Sequence, residues 1–161
     1  MSNAVIYHID TNFLLNYLIN DNKEINNAVR KKLKRDNWFN DVYKISKYAL
    51  GEAFNRVLNY QYNASITWDY VVNRIEDIKV LIKEEKLVVF DLEESGTQWI
   101  GHFKKLMEIE DWSIQKADRL ILAFFCSDKN AKRIYTVDSH IIESKYINNY
   151  VKNLHKEIAE V

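Results

Sequence analysis

The sequence predicts an α/β fold in which a mainly parallel sheet of about 4–5 strands lies between two layers of helices. Short apolar runs alternate with longer stretches in which apolar residues recur at helical spacing, a pattern typical of parallel sheets with crossover helices. Proline is absent and glycine occurs three times, which favours long helices. No linker, repeat or low-complexity run divides the 161 residues, so we expect one domain over residues 1–161.

Composition argues against several classes of protein. Lys and Arg balance Asp and Glu at 23 each, which argues against strong non-specific nucleic-acid binding through overall charge but leaves room for a local basic face. The single cysteine, Cys126, excludes an intramolecular disulfide and is expected to be a packed residue. No apolar stretch approaches the roughly 18 residues of a membrane span, and no signal-peptide pattern is present. We therefore expect a cytoplasmic protein without membrane association.

Local patterns place the elements along the chain. Short apolar runs predict strands, and a 3.6-residue apolar period or a capping Ser predicts a helix. In chain order we expect a strand over about residues 4–9, helices from Thr11 and over about 24–35, a strand at 42–45, a helix from Ser46 to about 60, a long helix over about 65–85, a strand at 87–90, a helix over about 94–107, a helix from Ser113 to about 127, and a strand over 133–137. From Glu143 onward the pattern is ambiguous, and helix is favoured.

Two of the predicted strands end in aspartate. Asp10 follows the first strand and Asp138 follows the last. Either residue alone is read most simply as the N-cap of the next helix. Because the carboxyl ends of parallel strands emerge at one edge of a sheet, where open α/β sheets place their active sites, the pair also suggests a shared metal or phosphate site.

Two further acids lie on predicted helices. Asp118 falls within the apolar arc of its helix, and a buried carboxylate needs a hydrogen-bond partner, an opposite charge or a metal ion. The sequence leaves a structural Asp and a metal ligand equally open. Glu52 lies opposite the apolar stripe of its helix, which by helical phase alone indicates a solvated surface residue. The arc around Asp118 contains Ile114, Ala117, Leu120, Ile121, Leu122, Phe124 and Phe125, whereas Gln115, Lys116 and Arg119 fall outside it.

These acids occur in four ordered motifs. The motifs are Ile9-Asp10-Thr11-Asn12, Leu50-Gly51-Glu52-Ala53, residues 116–123 around Asp118, and residues 134–140 around Asp138. The set resembles the PIN domain, the nuclease fold of the VapC-type toxins of toxin–antitoxin pairs. The order of the acids and their spacings of 42, 66 and 20 residues match that family, with a long middle gap that the helix over 65–85 would absorb. The similarity covers about residues 4–142.

The resemblance implies a PIN-like three-layer fold and a metal-dependent endoribonuclease, a toxin with a cognate antitoxin as a possible partner and often a homodimer. It implies that the catalytic and metal-binding set is Asp10, Glu52, Asp118 and Asp138, which would hold Mg²⁺ or Mn²⁺, with Thr11, Asn12, Thr136 and Ser139 as supporting polar groups. Hard cations prefer oxygen ligands and can activate water against a phosphodiester, so no nucleophilic side chain is required. The family usually ends in a short strand, whereas residues 146–161 look helical here.

Two other functions remain open. A PIN-like module could bind RNA or a protein without cleaving, although such a module has no need for all four acids. A phosphatase or other hydrolase could use Asp10 as a nucleophile, but such enzymes commonly have a second Asp two residues later, where this chain has Asn12.

The residues that would grip a substrate are less clear. The basic run at residues 30–35 could contact phosphates or a partner's acidic tail, or form a solvated helix face. His8 is expected to be packed, and His140 is read as a surface residue beside Asp138. Aromatic residues that could stack on bases, or belong to the core or a dimer interface, are Trp38, Phe39, Tyr60 and Tyr62.

Overall fold

A computed structural model describes residues 4–19, 22–35, 41–59 and 67–161. Within these ranges the chain forms five β-strands, eight α-helices and one short 3-10 helix over Leu92–Ser95. The elements in chain order are β1 (Ile6–Ile9), α1 (Thr11–Leu18), α2 (Lys23–Arg35), β2 (Val42–Ser46), α3 (Lys47–Asn59), α4 (Trp68–Lys83), β3 (Leu87–Phe90), α5 (Gln98–Glu108), α6 (Lys116–Ser127), β4 (Ala131–Thr136), α7 (Ser139–Glu143), α8 (Lys145–Asn153) and β5 (Glu157–Glu160).

The five strands form one parallel sheet in the order β3-β2-β1-β4-β5. The first strand is therefore central, and the chain builds outward from it on both sides. Backbone pairing continues just past β1, where the N–H of Asp10 donates to the carbonyl of Tyr135. The strand order changes direction at β1, between β2 and β4, which is the place where open α/β sheets form a crevice beyond the strand ends.

Helices cover both faces of the sheet. On one face, the Tyr7 and Tyr135 ring centroids lie 5.4 Å apart, and the ammonium of Lys32 in α2 lies 4.2 Å above the Tyr135 ring. On the other face, the His8 ring lies 5.5 Å from that of Phe125 in α6. Consecutive strand residues point to opposite faces, and the predicted α/β/α arrangement is confirmed. No helix in the described ranges is long and apolar enough to cross a membrane.

The core is centred on α1. Phe13, Leu14, Tyr17 and Leu18 are fully buried there, and the helix packs against α2, α3 and α4. Because α1 is packed between other elements, its position is fixed. The end of β1, which leads directly into α1, is therefore fixed as well.

Most predicted elements are confirmed, but two helix boundaries differ. The predicted helix over 65–85 begins in the structure at Trp68 and ends at Lys83, with Thr67 Oγ1 accepting a hydrogen bond from the Tyr70 N–H; residues 65 and 66 lie outside the described ranges. The predicted helix over 94–107 is divided in two by Gly96, whose φ of 65° interrupts a helix and is readily adopted by glycine.

The prediction that Ser113 caps the next helix is wrong, since α6 begins at Lys116. The Ser113 hydroxyl instead donates to Asp111 Oδ1 in a local turn, a bond that competes with capping. The placement of Arg119 outside the buried face is also wrong. Arg119 is 4% exposed because its guanidinium donates to backbone carbonyls of the preceding turn, including that of Ile109 at 2.8 Å.

The tail combines a helix and a strand. Helix α8 confirms the favoured prediction for its first half, but the predicted helical end is wrong because β5 pairs with β4 in the register Ile134–Ile158. Between them His155 adopts a φ of 58°, which ends the helix. The four residues of β5 are half-buried or exposed, so no strong apolar pattern marks this strand in the sequence.

Candidate active site

Asp10 is buried at the carboxyl end of β1, with 3% of its surface exposed. Its Oδ1 accepts a hydrogen bond of 2.7 Å from the Phe13 N–H and so caps α1, as predicted. Its Oδ2 accepts a hydrogen bond from the Thr136 hydroxyl at the end of β4. Capping and contact with the neighbouring strand end are therefore both present, and they fix the carboxylate in one orientation.

Asp138 lies beside Asp10 at the same edge of the sheet. Its Oδ1 accepts from the His140 N–H at 2.9 Å and caps α7, while its Oδ2 accepts from Asn12 Nδ2 at 3.3 Å. Its own N–H donates to Thr136 Oγ1 at 3.0 Å. Thr136 thus links the two aspartates directly, and Asn12 ties Asp138 to the first turn of α1.

Glu52 faces the same region from α3. Its carboxylate accepts from the Thr11 hydroxyl at 2.7 Å and from Arg56 Nη2 at 2.9 Å, and only 20% of its side chain is exposed. Helical phase alone indicates a solvated residue, and that interpretation is wrong. Helix α1 packs against α3, and Thr11 in the first turn of α1 reaches Glu52, so a neighbouring helix partly covers this residue.

Asp118 is half-buried in the first turn of α6. A backbone hydrogen bond at Gln115, the residue before the helix, favours its ionised form, as in a capping box. Burial, followed by the negative charges of Asp138 and Glu52, raises the pKa of Asp118 to about 6 against the opposing effect of Arg56. The residue is thus close enough to two other acids for their charges to act on it.

Asp10 has the larger shift. Burial raises the pKa of its carboxyl to about 7, and the charges of Asp118 and Asp138 add to that effect, while the hydrogen bonds from Thr136 and Phe13 oppose it. Neutral burial of an acid is the cheaper state where no cation offsets its charge. The four acids therefore share a region of excess negative charge.

The donor set has the chemistry of a site for a hard divalent cation, since every candidate ligand is a carboxylate. Among the described residues, however, no three His, Cys, Asp or Glu side chains are arranged to hold a metal ion. The guanidinium of Arg56 donates to Glu52 and, at 3.0 Å, to Asn12 Oδ1. Direct coordination by Glu52 would therefore require its carboxylate to turn away from Arg56.

The supporting residues predicted from the sequence differ in their placement. Thr11, Asn12 and Thr136 each hydrogen-bond to one of the four acids, whereas Ser139 is exposed at the first position of α7. Two neighbours were not predicted. Arg56 could have been found from its i,i+4 spacing to Glu52, and Tyr48, whose pKa is raised by burial and by the charges of Glu52 and Asp118, carries no comparable signal.

Other predicted contact residues lie elsewhere. In the basic run, Lys31 is exposed, but Arg30 is half-buried and Lys32 packs over Tyr135. The run is thus in part a packed helix face. The aromatic residues proposed for stacking, Trp38, Phe39, Tyr60 and Tyr62, lie outside the described ranges.

A second polar cluster lies on the α6 face, away from the four acids. Asp128 Oδ2 accepts from Lys44 Nζ at 2.8 Å and lies 3.0 Å from His8 Nε2. Although burial opposes it, these two hydrogen bonds hold the pKa of Asp128 below its usual range. The three residues line a cavity of about 350 Å³, and the predicted packing of His8 is confirmed by its exposure of 3%.

Comparisons with known proteins bear on the fold. No protein-family model and no curated protein matches the chain. Among solved structures, the fold matches a chain in the crystal structure of VapBC2 from Rickettsia felis bound to a DNA fragment from their promoter, with a TM-score of 0.60, 18% sequence identity, and coverage of 98% of this chain and 99% of that chain. The likeness confirms the predicted PIN-like α/β fold.

Proposed function

We propose that this chain is a metal-dependent endoribonuclease in which Asp10, Glu52, Asp118 and Asp138 hold Mg²⁺ or Mn²⁺. The proposal rests mainly on one observation. Burial, followed by the charges of neighbouring acids, raises the pKa of Asp10 to about 7 and that of Asp118 to about 6. Such a concentration of partly buried carboxylates is costly to a fold unless a cation offsets it.

A bound divalent cation would offset negative charge on the cleaved phosphate and make a water molecule a better nucleophile. The protein's own part is orientation. Thr136 holds Asp10, Thr11 holds Glu52, and Asn12 holds Asp138 through the hydrogen bonds described above. These bonds limit rotation of the Asp10 and Asp138 carboxylates, whereas Glu52 would turn from Arg56 to reach the ion.

Arg56 would have a second role in this proposal. Its guanidinium already lies among the acids, where it donates to Glu52 and Asn12. When Glu52 turns to a metal ion, the freed N–H groups can donate to phosphate oxygens of the substrate. Arginine suits this because its planar donors match phosphate geometry.

We also propose that the protein is the toxin of a toxin–antitoxin pair. Its fold matches a chain of a VapBC complex over nearly the whole length of both chains, which supports a cognate antitoxin as a partner. RNA as the substrate and a homodimer as the assembly remain predictions from the resemblance of the four motifs.

A second candidate is a PIN-like module that binds RNA or protein without cleaving. The ion pair between Arg56 and Glu52 favours it, because a cation is already present beside one of the four acids. The two candidates differ in one measurable respect. Only the nuclease cuts RNA, and its cutting requires Asp118 and a divalent cation.

The deciding experiment is cleavage of a mixed single-stranded RNA pool by the wild type and by Asp118→Asn, each with Mn²⁺, Mg²⁺ or EDTA. We expect cutting that requires metal and falls by about a hundredfold or more in the variant, because the carboxylate can no longer bind the cation. Asp41→Asn is the matched control, since Asp41 precedes β2 at the opposite edge of the sheet; it should cut as the wild type does. Folded wild type that cuts nothing with either metal would support the binding module instead.

A further inference from the structure

Trp112 is the most exposed large hydrophobic residue in the described part of the chain, with 92% of its surface accessible. It lies in the turn between α5 and α6, three residues before Gln115. Tryptophan is usually highly buried, so an almost fully exposed Trp is unusual.

The turn that carries Trp112 is firmly held. The buried guanidinium of Arg119 donates to the backbone carbonyls of Leu106, Ile109 and Asp111, and its Nε donates to Ile114 at 3.2 Å. A buried arginine with this many backbone bonds fixes the path of the chain around it. The backbone that carries Trp112 is therefore held in place.

A groove of about 250 Å³ begins at this turn. Asp111 and Ser113, on either side of Trp112, line one wall, and the start of α8 forms the other. The Ser144 hydroxyl donates to Asp111 Oδ2 and joins the two walls. Tyr146 also lines the groove, and 65% of its surface is exposed.

The groove adjoins the candidate active site through His140. His140 lines it, and the backbone N–H of the same residue donates to Asp138 Oδ1 at 2.9 Å. A strand with one phosphate at the four acids would therefore have a neighbouring nucleotide beside this groove.

We propose that Trp112 and the groove beside it form a base-binding subsite, in which Trp112 stacks on a nucleobase of single-stranded RNA next to the cleaved phosphate. The proposal rests on the proposed ribonuclease function. Aromatic side chains stack on any base and tolerate sequence variation.

The charges around the groove favour a base over a phosphate. Asp111 and Glu143 contribute two carboxylates, and Lys145 contributes one ammonium. A phosphate would be repelled by the acids, whereas a neutral base can stack on Trp112 and donate amino hydrogens to carboxylate oxygens. The proposed occupant is therefore a base, whose neighbouring phosphate would lie toward the proposed metal site.

The test is the dissociation constant of a fluorescently labelled mixed-sequence single-stranded RNA, measured in the Asp118→Asn background so that the strand stays intact. Trp112→Ala should weaken binding about tenfold, and Trp112→Phe should retain most of the affinity, because one stacked base contributes a factor of this size. Ile100→Ala is the control. Ile100 is exposed near the start of α5, whereas Trp112 follows the end of that helix, so its removal should leave binding unchanged.

Three outcomes would overturn the subsite. They are unchanged RNA affinity of Trp112→Ala, no RNA binding by the parent protein, and a fall in molar mass by light scattering in Trp112→Ala, which would show that Trp112 contacts a second protein chain. Because Trp112 is exposed, Trp112→Ala should have the thermal midpoint of the parent protein. A lower midpoint would reveal a folding defect. Wild-type protein that binds RNA through Trp112 but never cleaves it would uphold the subsite and reject the nuclease, whereas metal-dependent cleavage with unchanged affinity in Trp112→Ala would do the reverse.

Discussion

Asp10 and Asp128 are both aspartates that make hydrogen bonds beside the same sheet, but the fold treats their charges in opposite ways. At Asp128, Lys44 and His8 donate to one carboxylate oxygen and lower the pKa of the acid. At Asp10, no Lys or Arg pairs with the carboxylate among the described residues, and burial with two neighbouring acids raises its pKa to about 7. One region is neutralised by ion pairing within the chain, whereas in the other Arg56 pairs with one of the four acids and the buried acids have raised pKa values.

The difference indicates what each region is for. A paired acid such as Asp128 joins the end of α6 to β1 and β2, and it needs nothing from outside the protein. A set of acids without enough cations destabilises the fold, and a bound divalent cation, as proposed above, would offset that cost.

Removal of the charge at Asp128 should cost far more stability than removal at Asp118. Asp128→Asn leaves Lys44 without its ionic partner and His8 without a carboxylate acceptor, so the free energy of unfolding should fall by about 2–4 kcal/mol. Asp118→Asn removes a repelled charge, and its free energy of unfolding should stay level or rise. Urea denaturation without divalent ions measures both, and equal losses in the two variants would refute the contrast between the regions.

Divalent cations should stabilise the protein through the four acids only. At a Mn²⁺ concentration one hundred times its dissociation constant, binding contributes about 2.7 kcal/mol, which corresponds to a rise in thermal midpoint of roughly 5–10 °C for a domain of this size. The rise should persist in Asp128→Asn and disappear in Asp118→Asn. A midpoint that does not respond to millimolar Mn²⁺ in the wild type would count against a metal site.

The smallest effect is in the pH dependence of the metal-free protein. Because the folded pKa of Asp10 lies above its value of 3.8 in an unfolded chain, the contribution of this acid is fully present below pH 3.8 and is lost as pH rises through about 7. Asp10→Asn keeps an oxygen for the cap and cannot ionise. Its thermal midpoint should therefore gain on that of the wild type by about 3 °C, or ~1 kcal/mol, between pH 6 and pH 7.

Thermal melts of both proteins across this range make the comparison. The pKa of His8 is lowered by burial, so His8 destabilises either protein on the acid side, and the difference between the two curves cancels its effect. Parallel curves for wild type and Asp10→Asn would show that Asp10 is ionised throughout and that the contrast with Asp128 is incorrect.

Local patterns in the sequence were sufficient for much of this fold. The buried strand before Asp10 and the periodic helix around Asp118 are each marked by a few adjacent residues, and parallel topology then places the strand ends of Asp10 and Asp138 at one edge. The fold class and most elements follow from such signals.

Features that depend on contacts between distant elements could not be predicted in this way. Glu52 looks solvated in its own helix because the polar surface of α1 that covers it is 41 residues away. The burial of Arg119 depends on carbonyls in the preceding turn, and β5 is defined by its pairing with β4. Each of these features depends on residues outside its own helix or strand, and the apolar period within one element does not reveal them.

The hydrogen bond between Asp10 and Thr136 joins residues 126 positions apart in the chain. While the protein is being synthesised, the first strand therefore leaves the ribosome long before its neighbour β4 exists. Asp10 can occupy its final place only after that neighbour has been made and the intervening chain has folded around it, since contacts of such long sequence separation form late. A chain that stops before β4 would carry Asp10, Glu52 and Asp118 without the strand that unites them, so incomplete translation products should lack any activity of this site.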